Sequence, residues 1–307
     1  MTDSTSARRP ADRDDPRGFA FALACYAFWG LMPLYVALLS HIPSLEVLAH
    51  RVLWSLPLAL GALALMGKLG ALAQALREPR TVIMAGLASA VVTVNWGVYI
   101  YAIHIGQAMQ AALGYYINPL FSILLGYLLL GERLNPLKWL AVGFAFAAVV
   151  VLAIDEGELP WIALLLMLSW GFYAYFKRSL PVGPNEGFAL EVLLLFPFAL
   201  AYLGYAEVQG WALFPHSGFG DFALLFGMGM CTALPLILYA NGAKLLRLST
   251  IAIMQYISPT CIFLVAVFVF GEPFGRAKAI AFPLIWVAMI LYVVALVVEG
   301  RARRRAI

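Results

Sequence analysis

A chain of 307 residues has the length of two soluble domains, yet 64% of its residues are hydrophobic, 12% are charged and the mean hydropathy is +0.90. That composition excludes an ordinary globular protein and points to an integral membrane protein. The formal net charge of +4 invites a nucleic-acid reading, but the placement of the charges along the chain argues for orientation in a membrane instead.

Crossing about 30 Å of hydrocarbon takes roughly 20 apolar residues in a helix, and ten such segments follow one another. The fold class read from them is all-α integral membrane; their long continuous apolar runs rule out the alternating strands of a barrel. Residues 1–17, rich in Asp, Arg and Pro, read as a disordered cytoplasmic tail. The first apolar run, 18–40, is too long for a signal-peptide core and has no convincing cleavage site, so it stays as a span. Spans at 45–67 and 81–103 follow; the former carries Arg51 and Trp54, the latter Asn95, Trp96, Tyr99 and Tyr101. Span four, 107–130, contains YYINPL and runs into Gly131-Glu132, and span five is 136–154. An acidic DEGE at 155–158 precedes span six, 160–178, which ends in Lys177 and Arg178. Span seven, 187–206, holds Glu191, and span eight is 220–243. Span nine, 248–270, contains QYISPT and runs into Gly271-Glu272; span ten is 277–299, and 301–307 form a basic cytoplasmic tail.

With the N-terminus inside, alternation places Arg8, Arg9, Arg13, Arg17, Lys68, Arg77, Arg80, Arg133, Lys138, Lys177, Arg178, Lys244, Arg247, Arg301, Arg303, Arg304 and Arg305 on the cytoplasmic side, 17 of the 20 basic residues. Only Arg276 and Lys278 fall outside, and Arg51 lies within a span. This is the positive-inside signature and predicts cytoplasmic termini. Cys25, Cys231 and Cys261 stand singly in separate spans, with no ligand spacing that supports a metal site or a disulfide framework. No cofactor is expected.

A shift of 140 positions superimposes much of the chain on itself. RVLWSLPLAL at Arg51 lies over EVLLLFPFAL at Glu191, Tyr116 over Tyr256, Pro119 over Pro259, Gly131-Glu132 over Gly271-Glu272, and Lys138 over Lys278. A Trp-Gly pair recurs at Trp29 and Trp170, one residue out of register. The reading is two five-helix repeats, 18–155 and 156–300. An odd number of spans per half inverts the second against the first, the arrangement of secondary transporters with a site between the halves. Pro119 and Pro259 lack an amide hydrogen and are expected to bend spans four and nine, freeing the carbonyls of Tyr115 and Gln255 beside a cavity; kinks that serve packing alone are the other reading. Each Gly-Glu pair is expected to end one helix and to place its glutamate at the N-terminus of the next.

The segments CYAFWGLMPLY, LEVLAHRVLWS, NWGVYIYAI, LGYYINPL, GERLNPLKWLAV, RLSTIAIMQYISPT and GEPFGRAK resemble the RarD proteins, the chloramphenicol-sensitivity branch of the EamA family in the bacterial drug/metabolite transporter superfamily. The resemblance covers essentially the whole chain after the tail. It implies a multi-pass inner-membrane transporter of ten helices in paired EamA repeats, whose central cavity takes amino acids or other small metabolites. It does not supply a substrate for the RarD branch.

Arg51 lies about six residues, roughly 9 Å, inside its predicted span. A charge at that depth needs a partner, a cavity or a substrate anion; snorkelling to the outer surface beside Glu46 is the competing account. Glu191 is similarly deep and is the proton-coupling candidate, against a simple interfacial position near Lys177 and Arg178. Asn95, Trp96, Tyr99, Tyr116, Asn118, Gln255 and Tyr256, with Trp54 one turn from Arg51, complete the candidate substrate-binding set. Interfacial belt positions would account for some of its aromatics, but buried amides need hydrogen-bond partners. The expected partners are an anionic or zwitterionic metabolite or drug, the lipid bilayer and a coupled proton. No HExxH, G-x-S-x-G or usable phosphate loop argues for an enzyme. A channel, or a receptor or scaffold that binds without transport, remain the alternatives.

Overall fold

A computed structural model of the chain describes residues 14–131, 133–214, 216 and 218–305. Most of the expected N-terminal tail and Glu132 lie outside the described residues. All regular structure within them is helical: α1 (Pro16–Ala37), α2 (Ser44–Leu65), α3 (Leu69–Leu76), α4 (Pro79–His104), α5 (Ala108–Leu130), α6 (Pro136–Glu156), α7 (Trp161–Ser179), α8 (Pro184–Val208), α9 (Gly218–Leu245), α10 (Leu248–Met254), α11 (Ile257–Leu264), a π-helical turn (Val265–Val269) and α12 (Arg276–Arg305). Several helices open on proline, which costs nothing in the first turn, where amides have no helical partner. Asp15 and Asn135 accept from the amides of Arg17 and Lys138 as N-caps.

Among the described residues, nine helical segments are long and apolar enough to cross a membrane. The predicted span at 160–178 is helical as α7, but it is not one of the nine; it has 19 residues and ends in the polar YAYFKRS. Three further differences are local. The short amphipathic α3 fills what reads as a loop, burying Leu72 and Ala75. The predicted span nine is broken at Gln255 and Tyr256, three to four residues before Pro259, the place where proline disturbs the preceding turn. The helix of span ten continues to Arg305 instead of ending at a tail.

Helix α6 lies along α12; α4 and α5 pack on α7, and α9 and α11 pack on α1. Helix α2 contacts α8 and α9, α4 reaches α8, and α5 meets α11. The Trp-Gly pairs at Trp29 and Trp170 explain two of these approaches. A Cβ on Gly30 would lie 2.4 Å from Cβ of Cys261 in α11, and one on Gly171 would meet Phe121 of α5 at 2.4 Å. Each glycine lets two helices close at a point where a larger residue would force them apart.

Polar contacts tie the connections together at two opposite ends. At one end Asp14 pairs with Arg247, Lys68 with Glu186 at 2.8 Å, and Lys138 with Glu299 at 2.7 Å. At the other, His41 meets Asp221 at 3.0 Å, Ser44 meets His104 at 2.9 Å, and the fully buried Glu46 accepts from the amides of Leu213 and Phe214. Gly131 and Gly271 both have positive φ where their helices stop. Glu272, however, accepts from the amides of Ala108 and Met109. It caps the N-terminus of α5 rather than that of α12, the next helix in sequence, because the fold brings those free amides to it. Burial pushes its carboxyl above the usual range, opposed by those amides.

Candidate functional site

A cavity of about 180 Å³ opens among the helices. Its wall is built from helical faces. Val92, Asn95, Trp96 and Tyr99 of α4 fall at intervals of three and four residues, as do Gln255, Ser258, Pro259 and Ile262 across the α10–α11 break. Tyr115 and Asn118 of α5, Trp170 and Tyr173 of α7, and Tyr26 and Trp29 of α1 are each three apart. Arg51 of α2, Phe188 of α8 and Thr232 of α9 contribute single turns, with Met32 and Leu236 adding apolar surface.

Arg51 is only 6% exposed, and its Nε has no hydrogen-bond partner. Its guanidinium carbon lies 4.3 Å from the centroid of the Trp96 ring, a cation–π contact. It forms no pair with Glu46, whose carboxylate is taken by backbone amides, or with Glu191. The Tyr99 hydroxyl and the Asn118 amide oxygen are likewise buried without a partner. Three unsatisfied polar groups thus border one cavity, where desolvation without compensation is costly. Asn95 differs: its amide nitrogen donates to the Leu166 carbonyl at 3.1 Å and to Ser169 Oγ at 3.0 Å, and its oxygen accepts from Tyr115 at 3.0 Å. It lines the cavity while fastening α4 to α5 and α7.

Of the sequence-derived candidates, Arg51, Asn95, Trp96, Tyr99, Asn118, Gln255 and Pro259 therefore share one wall, and Trp54, Tyr116 and Tyr256 do not. Trp54 packs edge-on against Phe222 and Phe226 of α9, at 5.7 and 5.3 Å between centroids, over the space left by Gly229. Tyr116 and Tyr256 stack on each other at 6.4 Å, and the Tyr116 hydroxyl shares a hydrogen bond with Thr260 at 2.8 Å, joining α5 to α11. Tyr101 is exposed beside Trp161. Glu191 is buried off the wall, paired with Lys177 at 2.7 Å and accepting from the hydroxyl of Tyr173, itself a wall residue, at 3.1 Å.

The prolines act differently. Pro259 is on the wall next to the helix break, while Pro119 lies inside the uninterrupted α5 and off the wall. The Gln255 carbonyl, expected to be free, accepts from the Ser258 amide at 3.3 Å, a tighter turn that absorbs the missing proline donor. Tyr26, Trp29, Trp170, Tyr173 and Phe188 are wall residues absent from the sequence-derived set. The repeated Trp-Gly pair is the signal that points to two of them.

The family model of the EamA-like transporter family matches residues 16–154. The chain is 40% identical over 294 residues to an uncharacterized transporter, YojE, of Bacillus subtilis, covering 94% of this chain and 97% of the relative. It is 38% identical to Protein RarD of Streptomyces exfoliatus over 92% of this chain and 89% of the relative. Protein RarD of Salmonella typhimurium is also 38% identical, with coverage of 90% and 94%. A solved crystal structure with 19% identity superposes with a TM-score of 0.60 over 89% of this chain and 96% of its own, a likeness of fold. The chain is a multi-pass membrane protein and belongs to the RarD branch of the EamA-like transporter family.

Proposed function

We propose that the chain is a secondary transporter carrying a small anionic or zwitterionic metabolite or drug across the bacterial inner membrane, by alternating access around the central cavity. The observation that carries this reading is Arg51, a buried cation on the cavity wall that has a tryptophan face but no acidic partner. Leaving a charge buried and unpaired costs about 3–5 kcal/mol, so an anionic ligand that completes the guanidinium fork gains from the site as built.

The mechanism goes with a reading of the chain as two inverted five-helix repeats, which the 140-residue sequence repeat and the helix packing support. The packing of α4 and α5 on α7 has its counterpart in that of α9 and α11 on α1, as expected when the halves exchange roles. In this reading the end that holds Asp14, Lys68, Lys138 and Arg247 is cytoplasmic, by the positive-inside argument. Glu191 is the coupling candidate: its hydrogen bond from Tyr173 connects a buried ion pair to the cavity wall.

The test is flux of a metabolite panel into proteoliposomes, with and without a proton gradient. Saturable uptake and counterflow, lost in Arg51→Leu while that variant inserts normally, support the reading, and Glu191→Gln should then remove any dependence on the gradient. Normal transport by Arg51→Leu overturns the anchor. Flux without saturation indicates a channel, and binding without flux a receptor or scaffold.

A further inference from the structure

We infer that the ligand of the central cavity is a small aromatic monocarboxylate with a single net negative charge, rather than a zwitterion, a cation or a dianion; this rests on the transporter reading of that cavity. Charge balance carries the inference. Among the described wall residues Arg51 is the only charged group. Two buried carboxylates, its repeat mate Glu191 and Glu46 of the same helix, are engaged elsewhere, Glu191 by Lys177 and Tyr173 and Glu46 by the amides of Leu213 and Phe214. Neither lies on the wall.

One carboxylate against Arg51 brings the cavity to zero net charge. An ammonium on the same ligand would find π faces but no anion, and those faces offset only part of its lost hydration. A second carboxylate would be buried without a cation. Size and shape narrow the class further. An engineered apolar cavity of about 150 Å³ takes benzene, so a volume of about 180 Å³ suits one ring with a short acid arm. Trp29, Trp96, Tyr115 and Trp170 make the lining aromatic, while the unpartnered Asn118 oxygen and Tyr99 hydroxyl are an acceptor and a donor suited to a ring hydroxyl.

Four probes that share a para-hydroxyphenyl ring and differ in charge test this: para-hydroxyphenylpropionate, tyrosine, tyramine and para-hydroxybenzylmalonate, each titrated calorimetrically into the purified full-length protein. The propionate should bind at least about tenfold more tightly than the other three, and Arg51→Gln should reduce that preference to within about twofold. Tyrosine, tyramine or para-hydroxybenzylmalonate binding as tightly as the propionate in the wild-type protein overturns the inference, whatever the variant does, as does a preference that survives Arg51→Gln. Binding of none of the four also overturns it, while flux of another compound in the metabolite panel would leave the transporter reading standing.

Discussion

Replacing Glu46 by alanine removes a fully buried carboxylate from the first turn of α2, where it accepts from the amides of Leu213 and Phe214 at 2.8 to 3.2 Å. Hydrogen bonds to a charged acceptor contribute about 1.5–3 kcal/mol each. Two such donors put the loss at about 3–6 kcal/mol, and because Leu213 and Phe214 are half-buried, water recovers part and the lower end, about 3 kcal/mol, is expected. Glu46→Gln keeps an oxygen where Oε1 serves both amides, and neutral bonds are roughly half as strong, so it should lose about half as much. The assay is denaturant unfolding in detergent, with thiol labelling of Leu213→Cys as a local readout. Alanine should lower the unfolding midpoint and speed labelling, with glutamine between it and wild type. If Glu46→Ala unfolds and labels like the parent, the carboxylate does not hold the α8–α9 connection and the bonding argument is wrong.

Pro259→Ala restores an amide beside the break that faces the cavity and should change transport kinetics by about threefold or more at normal membrane abundance, whereas Pro119→Ala, inside a continuous helix, should transport like wild type; equal behaviour of the two would assign both to packing. Hydrogen bonds from Arg247 hold the Asp14 carboxyl below its usual range. A depressed carboxylate stabilises the fold above its unfolded pKa and loses that contribution as pH falls through the folded one. The stability difference between wild type and Asp14→Asn should therefore be full near neutrality and fade below about pH 4; a pH-independent difference would show that Asp14 acts by packing alone.

The spans were legible because lipid imposes one requirement on every residue of a helix, and a continuous apolar run records it directly. Arg51 and Asn95 stood out for the same reason, as exceptions to that requirement. Partners were not legible, since they depend on which helices meet. Nothing local indicates that Glu272 reaches back to α5, that Glu46 serves a loop some 167 positions away, or that Tyr116 faces Tyr256 instead of the cavity. Aromatic residues mislead in particular. Trp54 and Trp170 look alike in an apolar run, yet one packs against α9 and the other faces the cavity. The helical spacing of three and four along α4 discriminates wall residues better than residue type does.

Positions 140 apart divide into those that keep their chemistry and those that diverge, and the division follows their place in the fold. Glu46 and Glu186 both remain carboxylates, and each holds a connection from the opposite half, Glu46 the Leu213–Phe214 amides and Glu186 the ammonium of Lys68. Tyr116 and Tyr256 remain tyrosines and stack on each other. These contacts join the N-terminal part of the chain to the C-terminal part. Around the cavity the copies differ. Arg51 is on the wall and unpaired, while Glu191 lies behind Tyr173 in an ion pair; Pro259 accompanies a broken helix, while Pro119 sits in an intact one. A single asymmetric ligand has one orientation at a time, so two identical half-sites cannot both fit it. On the proposed reading of two repeats around one ligand, specificity comes from divergence between the copies at the cavity, and the position with the sharpest divergence, arginine against glutamate, is where that reading puts charge selection.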